Sequence, residues 1–172
     1  LFEKGQSADK LDFFAVNENG FTLADDGTLQ LRIDNNDPVE AGFRWAENPD
    51  LPDSFSVSDY KYVLVTCRLE GATRTTYGNG TVNSRRPDNL WSALALFDEA
   101  GKNVAKAGMA EAAPGQKTPE ETVTLAIPML QFTYWGENPR PPIHGFGFQW
   151  GGSRPPSVRD FLLVIERVSL AN

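Results

Sequence analysis

The stretch R-D-F-L-L-V-I-E-R-V-S-L, residues 159–170, decides the fold. Phe161, Leu163 and Ile165 alternate with Leu162, Val164 and Glu166, and large or β-branched apolar residues dominate, which is the pattern of a strand with one face in a core. Glu166 sets a carboxylate directly after the apolar run, and the first residues, L-F-E-K-G, set another at Glu3. A strand at each end of the chain, each carrying an acid, predicts a sheet in which the first and last strands lie together.

Working outward, strand patterns separated by turn clusters recur along the whole chain. Residues 28–34 alternate Leu29, Leu31 and Ile33 with polar neighbours after a D-D-G turn signal. Residues 42–46 oppose Phe43 and Trp45 to Arg44. Residues 60–70 place Val63, Val65, Cys67 and Leu69 on one face, with Leu64 making the other face less than fully polar. Residues 89–97 form an apolar strand, and the D-E-A-G-K turn leads from it into residues 103–107. Val123, Leu125 and Ile127 point inward before Pro128, and residues 143–150 set His144, Phe146, Phe148 and Trp150 against Ile143, Gly145, Gly147 and Gln149. A short helix is expected within residues 7–16. About eight or nine strands with long connections predict an all-β chain folded as a two-sheet antiparallel β-sandwich of the jelly-roll type, rather than an up-and-down barrel.

A length of 172 residues predicts one domain over 1–172. A net charge of −7 argues against nucleic acid, whose phosphates require clustered Lys and Arg. No apolar run reaches the ~18 residues of a membrane span. The single cysteine, Cys67, has no partner for an internal disulfide and sits in an apolar strand, as a buried structural thiol would. The first residue is Leu rather than Met, as in a mature form or an excised domain.

The opening F-E-K-G at residues 2–5, the closing I-E-R-V-S-L at residues 165–170 and the I-H-G-F-G-F strand at residues 143–148 resemble carbohydrate-binding modules of the jelly-roll, galactose-binding-domain-like type, such as families 4 and 22. The resemblance implies a structural calcium ion tying the first strand to the last, with Glu3 and Glu166 as ligands and Asp160 as a further candidate. Calcium takes several hard oxygen donors, so two carboxylates from distant positions would suit it. The chain departs from the family in having Arg167 where a second acid stands and Glu166 in place of Asp, and a salt bridge from these acids to Arg167 or Lys4 is the competing expectation.

Sugar recognition needs flat apolar surfaces ringed by planar hydrogen-bonding groups. Tyr134 and Trp135, in a Pro-rich loop with Arg140, and Tyr77, in a Gly-rich loop, are candidate platforms; Trp45 and Trp91 are further candidates on strands, where burial competes with ligand contact. If the strands are in register, Gln30, Arg32, Arg44, Tyr62, Arg68 and Gln149 share one sheet face, and Arg44 and Arg68 each require a carboxylate or a ligand. His144, on the Phe146 face, reads as a packed side chain rather than a base. No paired carboxylates suited to glycoside hydrolysis and no nucleophile motif stand on a strand. The expectation is therefore a secreted, extracellular, non-catalytic module that binds a polysaccharide or oligosaccharide for an attached carbohydrate-active enzyme in a larger multidomain protein. The alternatives are a small polysaccharide lyase using Tyr and His144, and a structural β-sandwich that binds no sugar.

Overall fold

Val63, Val65 and Cys67 are fully buried along one strand, on the face that alternation selects, and Leu29 with Leu31 and Phe146 with Phe148 repeat the pattern on two others. In the computed structural model, which describes residues 1–15, 20–33, 39–45, 52–70, 75–76, 82–83, 92–108, 122–134, 140–150 and 161–172, these faces meet in one core. The strands are β1 (Phe2–Glu3), β2 (Leu11–Ala15), β3 (Phe21–Leu23), β4 (Leu29–Ile33), β5 (Val39–Trp45), β6 (Tyr62–Glu70), β7 (Thr75–Thr76), β8 (Val82–Asn83), β9 (Ser92–Phe97), β10 (Asn103–Gly108), β11 (Val123–Pro128), β12 (Thr133–Tyr134), β13 (Gly145–Trp150) and β14 (Phe161–Ala171).

One sheet runs β11-β6-β14-β4-β3, with β1 also on β14; the second runs β12-β10-β9-β13-β5-β2; β7 and β8 form a small hairpin. Every pairing in the two sheets is antiparallel. From β4 onward the chain passes repeatedly from one sheet to the other, the winding of a jelly roll. The fold is thus the all-β sandwich that the strand patterns predict.

The stretch 159–170 supplies the central strand of its sheet. β14 pairs with β6 along nearly its whole length, while β4 covers Phe161–Ile165 on the other side and β1 covers Arg167 and Val168. A register shift between Ile165 and Arg167 separates these two halves. The extra residue returns the inward side to Val168, so the series that enters the core is Leu163, Ile165, Val168 rather than a strict alternation, while Val164 is buried on the opposite face. The first and last strands do lie together: Phe2 pairs with Val168, and the Lys4 amide donates to the Glu166 carbonyl at 2.7 Å.

Two local expectations are corrected. Residues 7–16 hold a single 3-10 turn, Ala8–Lys10, whose Ser7 cap makes no side-chain bond to the backbone. The chain then enters β2, because Leu11 is drawn into the core and Phe13 packs against it on the same side, a period of two that a helix would break. The polar residues expected on one face are divided between the sheets: Gln30, Arg32, Tyr62 and Arg68 belong to the sheet of β14, and Arg44 and Gln149 to the sheet of β13. Alternation fixes which residues point away from the core, but the sheet to which a strand belongs depends on distant pairings.

The D-D-G turn also braces the chain start. Gly27, at φ 80, comes so close to Gly5 that a Cβ on it would stand 2.7 Å from the Gly5 nitrogen, and the Gly5 amide donates to the Gly27 carbonyl. Asp26 accepts from the Thr28 hydroxyl at 2.7 Å and from its amide at 3.0 Å, and these bonds hold its carboxyl below the usual carboxylate range. A depressed native pKa gives stability that is present above the unfolded value, near 4, and is lost as pH falls through the native one. In Asp26→Asn the decline of the urea midpoint between about pH 5 and pH 2 should therefore be shallower than in the wild type; equal slopes would show that the turn contributes nothing to acid sensitivity.

Candidate glycan-binding cleft

The second sheet presents an outward face in which three successive rows can be followed across β2, β5, β13 and β9. Asp12, Arg44, Gly145 and Phe97 form one, and Phe14, Gly42, Gly147 and Ala95 form the next, while the third sets Glu40 of β5 opposite Gln149 of β13. The glycines leave room for their neighbours. Phe14 and Phe97 meet edge to face at 4.7 Å, and both rings stand where a side chain on Gly42 would be. Phe97 is fully buried although it faces away from the core.

At the Phe97 end of this face, two segments distant in sequence approach each other. Residues 98–102 form a tight turn: the Asp98 carboxylate accepts from the Lys102 amide at 2.9 Å, Lys102 returns its carbonyl to the Asp98 amide at 3.0 Å, and Gly101 adopts φ 75. Opposite it, residues 140–144 are tied down by backbone bonds from Ile143 to Phe55 and from the His144 amide to the Phe97 carbonyl. Between them lies a cleft of about 550 Å³ lined by Asp98, Glu99, Ala100, Pro141, Pro142 and His144. Its chemistry is mixed: two carboxylates that accept from hydroxyls, an imidazole that can donate or accept, and proline and alanine surfaces for C–H groups.

Arg44 joins this cleft to the sheet. Its Nη1 donates to the Glu99 carbonyl at 2.6 Å, its Nη2 to the Asp12 carboxylate, and the guanidinium lies 5.7 Å from the Phe14 ring centre. On the other flank, the Arg140 guanidinium stacks over the Tyr134 ring at 4.7 Å, next to the cleft-lining Pro141. Burial pushes the Tyr134 phenol pKa up, with Arg140 opposing. Among the described residues, three buried side-chain polar atoms have no hydrogen-bond partner: Arg44 Nε on β5, Asn103 Oδ1 on β10 and the Tyr134 hydroxyl on β12. Such atoms are uncommon in folded proteins.

No family model and no curated protein matches the chain. Among solved structures, the chain is similar to a mutant of the family 29 carbohydrate-binding module CBM29-2 complexed with mannohexaose, at 13% identity and a TM-score of 0.49, over 99% of this chain and 89% of that one. It is similar to a second mutant of the same module, also at 13% identity and a TM-score of 0.49, over 97% of this chain and 86% of that one.

Of the residues singled out in the sequence, Arg44 and Tyr134 stand beside the cleft. Gln149 faces outward on the same sheet, where its amide donates to Glu40 at 3.3 Å. Trp45 is corrected: it is 7% exposed, stacks on Phe55 at 5.9 Å and donates its indole N–H to the Pro52 carbonyl, so it is a core side chain with its polar atom met. Arg68 lies on the other sheet, held by Glu70 at 2.8 Å and Glu166 at 2.9 Å. Tyr77, Trp91 and Trp135 lie outside the described residues. His144 is corrected as well: it precedes β13 instead of continuing the Phe146 face, and it lines the cleft half-buried. Sequence reading took Asp98 and Glu99 as turn residues alone; the cue available was a carboxylate pair at a hairpin tip.

The salt bridge expected at Glu166 exists, but its partner is Arg68 rather than Arg167 or Lys4. Thr122 donates to the same carboxylate oxygen at 3.4 Å, whereas Glu3 is exposed and its residue pairs with Arg167. Among the described residues no group of three or more His, Cys, Asp or Glu is gathered to hold a metal ion; Asp160 lies outside them. A guanidinium on Glu166 repels a second cation, so Glu3 and Glu166 as arranged do not fit a calcium ion. Cys67 is fully buried and its thiol is pushed up to about 12 by desolvation, which leaves it inert near neutral pH.

Proposed function

We propose that the chain is a non-catalytic glycan-binding module that takes a polysaccharide or oligosaccharide in the cleft between residues 98–100 and 141–144 and holds an attached carbohydrate-active enzyme on that polymer outside the cell. The observation that carries this reading is the cleft itself, because it sets hydroxyl-matching groups, Asp98, Glu99 and His144, against the apolar surfaces of Pro141 and Pro142. A sugar ring presents the same pairing of hydroxyls and C–H faces. The two carboxylates favour a neutral glycan, since a uronate or sulfate would meet like charge. Arg44 and Arg68, the cations that would suit an anionic glycan, are already engaged by Asp12 and by Glu70 and Glu166.

Affinity electrophoresis against matched neutral and anionic polysaccharides tests the reading. The wild type should be retarded by at least one neutral polymer. Glu99→Ala and His144→Ala should each weaken that retardation about tenfold, the cost of losing one good hydrogen bond, one of them charge-assisted. Arg32→Ala, on the other sheet, should leave it unchanged. An unretarded wild type across the panel, or full retardation of both cleft variants, overturns the proposal.

A further inference from the structure

We propose that Arg44 is a positioning residue that holds the 98–102 turn against the sheet and so sets the acidic wall of the cleft, without itself touching the glycan; this role rests on the cleft being the binding site. Arg44 stands on β5 and β13 lies between it and β9, so its contact with the turn that follows β9 is made across β13, by Nη1 donating to the Glu99 carbonyl. Gly145 makes that passage possible. A Cβ at Gly145 would be 3.4 Å from the Arg44 Cγ and 3.2 Å from the Phe97 Cβ, so any side chain there would compete with both for the same space.

The far end of Arg44 is then fixed from two sides. Nη2 is anchored on Asp12 of the edge strand β2, and Nη1 grips the Glu99 carbonyl at 2.6 Å. The Phe14 ring, which also touches the position of a Gly101 Cβ at 3.9 Å, supports the guanidinium and the turn together. Both outer nitrogens are committed within the protein, which is why the side chain acts through the turn. The two partners lie in different directions, a geometry that a forked guanidinium meets and a single ammonium does not.

A double-mutant cycle with a second, ligand-free readout tests the role. Arg44→Gln should weaken binding to the retarding polysaccharide about tenfold in the presence of Glu99, and less than about twofold in a Glu99→Gln background, because the two act as one unit. Arg44→Lys should recover part of the loss. By hydrogen exchange, the Gly101 and Lys102 amides, both bonded to Asp98, should open at least about tenfold faster in Arg44→Gln, with the β13 amides unchanged. Asp12→Asn, which loosens the same anchor while keeping the arginine, should show the same exchange pattern more weakly and serves if Arg44→Gln does not fold. Additive binding losses would assign Arg44 to direct ligand contact, and unchanged turn exchange would remove the positioning role. If the wild type binds no glycan, the cleft reading fails while the exchange measurement still decides whether Arg44 holds the turn.

Discussion

Replacing Phe43 with alanine should lower the unfolding free energy by about 3 to 5 kcal/mol, the range for deleting a buried aromatic ring that its surroundings cannot refill. Phe43 is fully buried on β5 and stands where the two sheets meet. Its ring lies 6.2 Å from Phe2, 6.0 Å from Phe21 and 5.9 Å from Phe146, so rings from both sheets converge on it. Each of those neighbours is itself held in a paired strand, which limits collapse into the cavity. Urea unfolding followed by tryptophan fluorescence measures the cost. A loss below about 1 kcal/mol would mean that Phe43 is not central to the core.

The second large effect should come from the smallest change. In Gly147→Ala the new methyl group would stand 2.1 Å from the Ala41 carbonyl oxygen and 2.5 Å from the Gly42 Cα, both backbone atoms of the neighbouring strand. No rotamer relieves such a clash, because Cβ has no torsion of its own. β13 must move away from β5, disturbing a ladder that runs from Gly145 opposite Arg44 to Trp150 opposite Val39. The expected cost is above about 3 kcal/mol, beyond ordinary overpacking, which side chains absorb by shifting. Thermal unfolding of the variant decides the matter. A melting temperature within about 2 °C of the wild type would show that the strands are farther apart at this point.

The two sites show different limits of what alternation reveals. Phe43 reads as core in the sequence because it faces Trp45 across Arg44, and the structure buries both rings. Gly147 reads only as the small partner of large neighbours. That it forms a point of backbone contact depends on β5, and nothing near residue 147 encodes the distance to that strand. Glu166 behaves similarly. Its place at the end of an apolar run marks the closing strand, but its partner Arg68 stands on β6, 98 residues away in the chain and paired with Val164 of β14.

The cleft was less legible than the fold. The turn at residues 98–102 is signalled by its D-E-A-G-K sequence, and the prolines at 141 and 142 mark a loop, yet neither segment alone suggests a site. Trp45 shows the converse error, since an aromatic residue on a short strand between polar loops can serve a ligand or the core. Pro52 and Phe55, brought back beneath it, decide for the core.

By itself, the sequence determined most of the strands longer than about four residues, though not β2, where a helix was expected, together with the all-β class and the meeting of the chain's two ends. The strands and the class follow from a side-chain period of two and from turn residues, which act over a few neighbours, and the meeting of the ends was read from the acid-bearing strands at the two termini. The tertiary structure alone decided which strands share a sheet, and hence that Arg44 and Arg68 face different surroundings. It also decided that Asp98, Glu99 and His144 converge on one cleft. Those outcomes depend on hydrogen-bonded pairings between distant segments, where one residue of register or one bulge changes which side chains meet.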